Sequence, residues 1–195
     1  MDKKVAKLRS EMKKVMDEKR YEHTLGVAYT SADLAACHGE DIEKALIAGL
    51  LHDCAKCLTN EKRLEICRKN SLPVSEYEKE NPFLLHAKVG AFRAEHKYKI
   101  EDEDILNAIR SHTTGRPGMS RLEKIVFIAD YIEPGRTHSK KLPELRKLAF
   151  QDLDKALVEI LHDTLDYLST KEENIDPQTR ETYEFYTKNK KGKQK

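Results

Sequence analysis

The sequence lacks tryptophan and has only eight glycines and six prolines among its 195 residues. Because glycine and proline mark loops and linkers, their scarcity and the absence of an internal repeat predict one domain, residues 1–187, followed by a disordered Lys-rich tail, residues 188–195. No run of about 18 apolar residues and no export signal occurs, so we expect a cytoplasmic protein without a membrane partner.

Cysteine is also scarce, and neither sign of charge is in large excess. The four cysteines lie between Cys37 and Cys67 without the spacing of a secreted disulfide framework, so we expect free thiols. Cys54 and Cys57 have CxxC spacing, but no matching second pair exists and we interpret them as structural. With 36 basic and 34 acidic residues the net charge is +2, which argues against a nucleic-acid partner.

Helical periodicity is present along almost the whole chain. Apolar residues recur at three- and four-residue intervals from Val5 to Val15, in a helix that should end near Lys19 and be followed at once by another. Several residues indicate helix ends: Gly39, Asp41, Thr59, Ser120 with Glu123, and Pro177. The sequence therefore predicts an all-α protein.

Two apolar runs are followed directly by ionisable residues. Residues 45–51 precede His52 and Asp53, and residues 125–129 precede Asp130. A histidine and a carboxylate removed from water need a partner that offsets their desolvation. A metal ion is such a partner, and imidazole nitrogen with carboxylate oxygen suits iron, zinc or manganese better than calcium.

Other histidines can complete such a metal site. His23 should lie early on the second helix, His86 near a helix start, and His112 at the mouth of a loop rich in Gly and Pro. The remaining four are interpreted as structural or exposed: His38, His96, His138 and His162.

The order His, His-Asp, His, His, Asp along a helical chain resembles the HD-domain phosphohydrolase superfamily. The flanking residues resemble one branch, the bacterial HD-type symmetrical bis(5'-nucleosyl)-tetraphosphatases. The segments that carry this resemblance are Arg20-Tyr21-Glu22-His23-Thr24-Leu25-Gly26-Val27, Gly49-Leu50-Leu51-His52-Asp53, Leu85-His86-Ala87, Ser111-His112-Thr113 and Ile128-Ala129-Asp130-Tyr131-Ile132-Glu133-Pro134-Gly135-Arg136. It implies an HD-domain helical bundle, often a homodimer, that uses iron or another divalent transition metal to hydrolyse diadenosine tetraphosphate to two ADP.

The resemblance also implies residue roles. The metal ligands would be His23, His52, Asp53 and Asp130. For His86 and His112 we expect direct contact with phosphate, although these histidines hold a second ion in two-metal members of the superfamily. The catalytic set would be Asp53, Lys56, His86 and His112. The substrate-binding set would be Arg20, His23, Lys56, His86, His112, Thr113, Asp130 and Arg136. Residues 137–141 depart from the family pattern. In the family, this segment lies on the side of the nucleoside contacts.

Two alternatives stay open at this point. The same metal site can serve a mononucleotide phosphatase or pyrophosphatase of the superfamily. It can also belong to a regulatory module that binds a nucleotide without hydrolysing it. The products formed from diadenosine tetraphosphate separate all three hypotheses.

Overall fold

The computed structural model describes residues 3–170 and 175–192, with side chains to residue 188. Within these ranges the chain is all-α, as predicted, and contains no strand. Its helices are α1 (Lys3–Val15), α2 (Glu18–His38), α3 (Ile42–Leu51), α4 (Asn60–Lys69), α5 (Glu76–Glu80), α6 (Leu85–His96), α7 (Glu103–Ser111), α8 (Arg121–Ile132), α9 (Leu142–Gln151), α10 (Leu153–Thr170) and α11 (Pro177–Gly192), with a 3-10 turn at Pro82–Leu84. None of the helices in the described part is long and apolar enough to span a bilayer.

Most helix ends follow the local signals of the sequence. Asp41 and Thr59 cap α3 and α4 through their side chains, and Gly39 ends α2 in the left-handed conformation with φ 67°. The first helix ends at Val15, earlier than expected, because Asp17 accepts a hydrogen bond from the Arg20 amide at 2.8 Å and starts α2. The break between the first two helices was therefore predicted correctly, but its predicted position was too late in the chain.

The helices α2, α3 and α8 pack together at the centre of the molecule and meet around His52 and Asp53, the HD pair. The α2 and α3 backbones approach closely at Gly49, where a Cβ atom would lie 2.7 Å from the Ala28 Cα. Helix α8 packs against both with a nearly fully buried apolar run, residues 125–129. The apolar run predicts a helix that includes His52 and Asp53, but α3 ends at Leu51 and the two residues begin the turn that follows.

Two helices were not predicted. The segment that contains α9 follows basic residues, and its apolar pattern (Leu142, Leu145, Ala149) covers only about two turns, which is a weak signal for a helix. The short α5 lies in a charged passage. Its only strong sequence signal is the capping box of Ser75 with Glu78. At the other end, α11 continues to Gly192, beyond the expected domain boundary at residue 187, and residues 193–195 lie outside the described residues.

Glu123 both caps helix α8 and fixes the position of the loop before it. It forms the predicted capping box with Ser120 and is fully buried. Its carboxylate also accepts hydrogen bonds from Ser111 Oγ at 2.9 Å and from Arg116 Nε and Nη2 at 2.7 and 2.6 Å. One buried carboxylate thus holds the loop between α7 and α8, the loop that begins with His112.

We expect Glu123→Ala to lower the free energy of unfolding by about 3–5 kcal/mol, because it leaves the buried hydrogen-bond donors around it without their acceptor. Urea denaturation followed by circular dichroism measures this change. Glu101→Ala, which removes an exposed glutamate, is the matched control and should change stability by less than about 0.5 kcal/mol. Equal stabilities of the two variants would contradict this role of Glu123.

Candidate metal centre

Three buried histidines share one hydrogen-bond arrangement. In each of His52, His86 and His112, Nδ1 lies 2.7 Å from the carbonyl oxygen three residues earlier in the chain. Because a carbonyl oxygen can only accept, each Nδ1 carries the proton. In the neutral ring, Nε2 then holds a lone pair, and this is the atom that faces the site.

His23 is held in the same tautomer by a carboxylate. Its Nδ1 donates to Glu133 Oε1 at 3.1 Å, and Glu133 Oε2 accepts from the Gly135 amide at 2.6 Å. Glu133 is only 4 % exposed, and Gly26 on α2 leaves room for it, since a Cβ there would lie 2.5 Å from Oε2. Glu133 was not among the predicted site residues, although its place three residues after Asp130 is a signal that could have suggested it.

The histidine Nε2 atoms converge on two aspartates. His23 Nε2 lies 3.1 Å from Asp130 Oδ1, and His52 Nε2 lies 3.5 Å from Asp53 Oδ2 and 4.0 Å from Asp130 Oδ1. On the other side, His112 Nε2 lies 3.5 Å from Asp53 Oδ1. Two possible ligand triads result, His23–His52–Asp130 and His52–Asp53–His112, each with donor atoms within 4.8 Å of one another.

Three of these donor atoms have unmet hydrogen-bonding capacity. His23 Nε2, His52 Nε2 and Asp53 Oδ1 are buried and form no hydrogen bond with any described residue. Buried polar atoms without partners are costly, and metal coordination at the two triads would satisfy them. The mixture of imidazole nitrogen and carboxylate oxygen fits a divalent transition metal, so the residues present fit the ion expected from the sequence.

Both aspartates are held in the ionised form that a metal ligand needs. Burial by itself would raise the pKa of Asp53, but His52 and His112 beside it hold this pKa well below its usual value. Burial likewise opposes ionisation of Asp130, yet the adjacent His23 and the charges of its other neighbours, Arg136 among them, keep the pKa of Asp130 below its usual range. Both carboxylates are therefore ionised at neutral pH.

Two arginines pair with these aspartates. Arg20 Nη1 donates to Asp53 Oδ2 at 2.7 Å, and Arg136 Nη2 donates to Asp130 Oδ1 at 2.6 Å. Arg20 lines a separate depression beside α2, whereas Arg136 lines both this depression and the main cavity next to the centre. Of the two arginines predicted to bind substrate, only Arg136 therefore faces the main cavity.

The main cavity has a volume of about 610 Å³ and lies against the metal centre. Six predicted site residues line it: Lys56, His86, His112, Thr113, Asp130 and Arg136. Lys56 Nζ lies 3.2 Å from His86 Nε2, and burial lowers the pKa of both groups. Lys56 belongs to the turns that follow α3 rather than to a helix face shared with Asp53.

The rest of the cavity wall comes from residues that sequence analysis did not assign. Aromatic side chains of Phe127, Tyr131 and Tyr167 line it, together with His138 and Ser139 from the divergent loop. His138 is exposed, as expected, but its ring packs edge-on against Tyr131 with centroids 4.5 Å apart. The loop that departs from the family pattern thus forms part of the cavity.

The CxxC pair forms no second site. Cys54 is buried, its Sγ donates to the Gly90 carbonyl at 3.4 Å, and burial raises the pKa of its thiol to about 12. Cys57 is exposed. A buried, protonated thiol beside an exposed one agrees with the structural interpretation.

A family model for the HD domain matches residues 20–135. This span contains every residue of the two ligand triads and Glu133. The chain belongs to the HD-domain family.

Similar proteins define its place within the HD-domain family. It is 42 % identical over 174 residues to the symmetrical bis(5'-nucleosyl)-tetraphosphatase of Bacillus subtilis, covering 89 % of this chain and 92 % of the relative. The enzyme of the same name from Halalkalibacterium halodurans is 45 % identical over 170 residues, which cover 86 % and 89 % of the two chains. The chain thus lies in the symmetrical bis(5'-nucleosyl)-tetraphosphatase branch.

A solved structure supports the placement in the HD superfamily. It is described as a predicted HD superfamily hydrolase involved in NAD metabolism from Clostridium acetobutylicum. The HD-domain chain described here matches it with a TM-score of 0.91 and 44 % identity, covering 94 % of this chain and 97 % of that one. The predicted HD-domain helical bundle is therefore confirmed.

We expect Glu133→Ala to weaken binding of Mn²⁺ about 10- to 100-fold, because His23 loses the carboxylate that fixes its tautomer and orientation. Isothermal titration calorimetry of the metal-free protein with Mn²⁺ measures the affinity. Glu144→Ala removes an exposed glutamate on α9 and serves as the control. An unchanged affinity in Glu133→Ala would show that Glu133 does not support the centre.

Proposed function

We propose that this HD-domain protein is a metal-dependent hydrolase that cleaves diadenosine tetraphosphate symmetrically into two ADP. The observation that carries the proposal is the group of buried, unpartnered donor atoms of His23, His52 and Asp53 beside a cavity that also contains Lys56 and Arg136. A site for a metal ion and side chains for a polyphosphate thus lie together. The names of the two bacterial relatives support the choice of a dinucleoside tetraphosphate as substrate.

His23, His52, Asp53 and Asp130 would hold the ion, and we propose iron, in line with the family resemblance. When bound, a divalent ion lowers the pKa of a coordinated water toward neutrality and withdraws charge from phosphoryl oxygens. Asp53 and Asp130, held ionised by their neighbours, would also orient the attacking water through hydrogen bonds.

The tautomers of His86 and His112 favour one of the two roles predicted for them. Their Nε2 atoms lie 3.1 Å apart, and His86 Nε2 lies 3.3 Å from Asp53 Oδ1. With Nδ1 protonated, each Nε2 presents a lone pair, which repels a phosphate oxygen but attracts a cation. This supports binding of a second ion at His86 and His112 over direct contact with phosphate.

Lys56, Thr113 and Arg136 would position the polyphosphate. Lys56 is largely shielded from water, so its charge acts on a phosphoryl group with little solvent screening. The hydroxyl of Thr113 lies 3.1 Å from His112 Nε2 and can donate to a phosphate oxygen from that position. Arg136 lines the same cavity, where it already pairs with Asp130.

We also propose that the protein acts in the cytoplasm as a homodimer. The family resemblance supports the homodimer, and the cytoplasmic location is the expectation from the sequence. Size-exclusion chromatography with light scattering measures the mass in solution and tests the dimer directly.

We expect ADP as the only product when the metal-reconstituted protein is incubated with diadenosine tetraphosphate. Asp53→Ala should be inactive, and a chelator should abolish the activity of the wild type, because both remove the centre. Ion-pair chromatography separates ADP, AMP and ATP. Formation of AMP with ATP, or an absence of products, would overturn the proposed cleavage, whereas release of inorganic phosphate from mononucleotides would favour the phosphatase alternative.

We expect Lys56→Met to lower kcat/KM for diadenosine tetraphosphate about 100-fold, because the variant keeps the length of the side chain but removes the charge that faces the phosphates. Lys140→Met, at an exposed lysine of the neighbouring loop, is the matched control. Steady-state kinetics with the reconstituted proteins measures both. Similar losses in the two variants would mean that Lys56 acts only through the overall charge.

A further inference from the structure

A second cavity adjoins the one beside the metal centre. It has a volume of about 710 Å³, and Thr113 and Thr164 line both cavities. Its walls come from the segment before α6 and from α10 and α11, and they include Phe83 and Leu168. Each of the two volumes lies in the range typical of small-ligand sites.

The two cavities differ in charge. The main cavity contains the cationic side chains of Lys56 and Arg136. Among the described residues that line the second cavity none is basic, whereas Glu80 and Asp176 are acidic. A polyphosphate therefore fits the main cavity, and the second cavity suits an uncharged group with hydrogen-bond donors.

Phe83 gives the second cavity a flat aromatic surface. Its side chain is 51 % exposed and lines this cavity. The backbone beneath it is fixed, because Phe83 lies in the 3-10 turn and its carbonyl oxygen accepts the 2.7 Å hydrogen bond from His86 Nδ1. An exposed ring on a fixed backbone can stack on a nucleobase at little entropic cost.

The main cavity has an aromatic residue at a comparable place. Tyr167 lines it and is 57 % exposed. A substrate with a nucleoside at each end of four phosphates needs two base sites, one on either side of the bond that breaks. The paired cavities, joined at Thr113 and Thr164 and each lined by an exposed aromatic ring, match that requirement.

We propose that the second cavity is the subsite for the second nucleoside of the substrate, with its base stacked on Phe83. The first nucleoside occupies the main cavity near Tyr167, and the tetraphosphate passes Thr113 beside the metal centre. This assignment rests on the proposed function, since only a substrate with two nucleosides needs both cavities. It makes Phe83 a residue that determines specificity for dinucleotides.

The test compares two ligands that differ only in the second nucleoside, diadenosine tetraphosphate and adenosine 5'-tetraphosphate. We expect Phe83→Ala to raise KM for diadenosine tetraphosphate about tenfold with little change in kcat, because base stacking is lost while the centre is intact. For adenosine 5'-tetraphosphate, KM as a substrate or Ki as a competitive inhibitor should stay within about twofold. Phe83→Trp should restore KM for the dinucleotide.

Phe150→Ala is the matched control, since Phe150 is a 42 % exposed phenylalanine on α9 that lines neither cavity. An active wild type with an unchanged KM in Phe83→Ala, or with equal losses for both ligands, would overturn the subsite and leave the proposed function standing. A wild type that forms no ADP from diadenosine tetraphosphate would overturn the proposed function, and the subsite would fall with it.

Discussion

The need to balance buried charge at Asp53 and Asp130 is the constraint on which the structure depends. Asp53 is 3 % exposed and lies among imidazoles whose Nε2 atoms face inward. Ionised carboxylates away from water require counter-charges, which Arg20 and Arg136 supply from one side and a metal ion would supply from the other. The helices α2, α3 and α8 are packed so that these groups meet at one point.

Two glutamates outside the ligand set maintain this arrangement. Glu133 orients His23 and occupies space that Gly26 leaves open, so the small residue on α2 and the carboxylate after α8 depend on each other. Glu123 fixes the loop that starts at His112. In both cases one buried carboxylate satisfies several donors, and removal of either would disturb atoms beyond its direct partners.

Local patterns allowed much of the fold and the centre to be predicted. Periodicity and caps indicated an all-α chain and most helix positions, because both depend on residues within a few positions of one another. The apolar runs before Asp53 and Asp130, with His23 and His52, pointed to a metal site. The same local reasoning failed for α9, whose short apolar pattern becomes helical only through packing against α2, α8 and α10.

The sequence by itself therefore determined the fold class and the chemical nature of the centre, since these follow from residue types and short spacings. Only the tertiary structure decided which nitrogen of each histidine faces the ligands, because that depends on carbonyl groups and on Glu133 as hydrogen-bond acceptors. It also decided that Arg20 turns to Asp53, and that Phe83 borders a cavity next to the centre. The contacts of Glu133 with His23 and of Arg20 with Asp53 join residues far apart in the chain, and no local pattern records them.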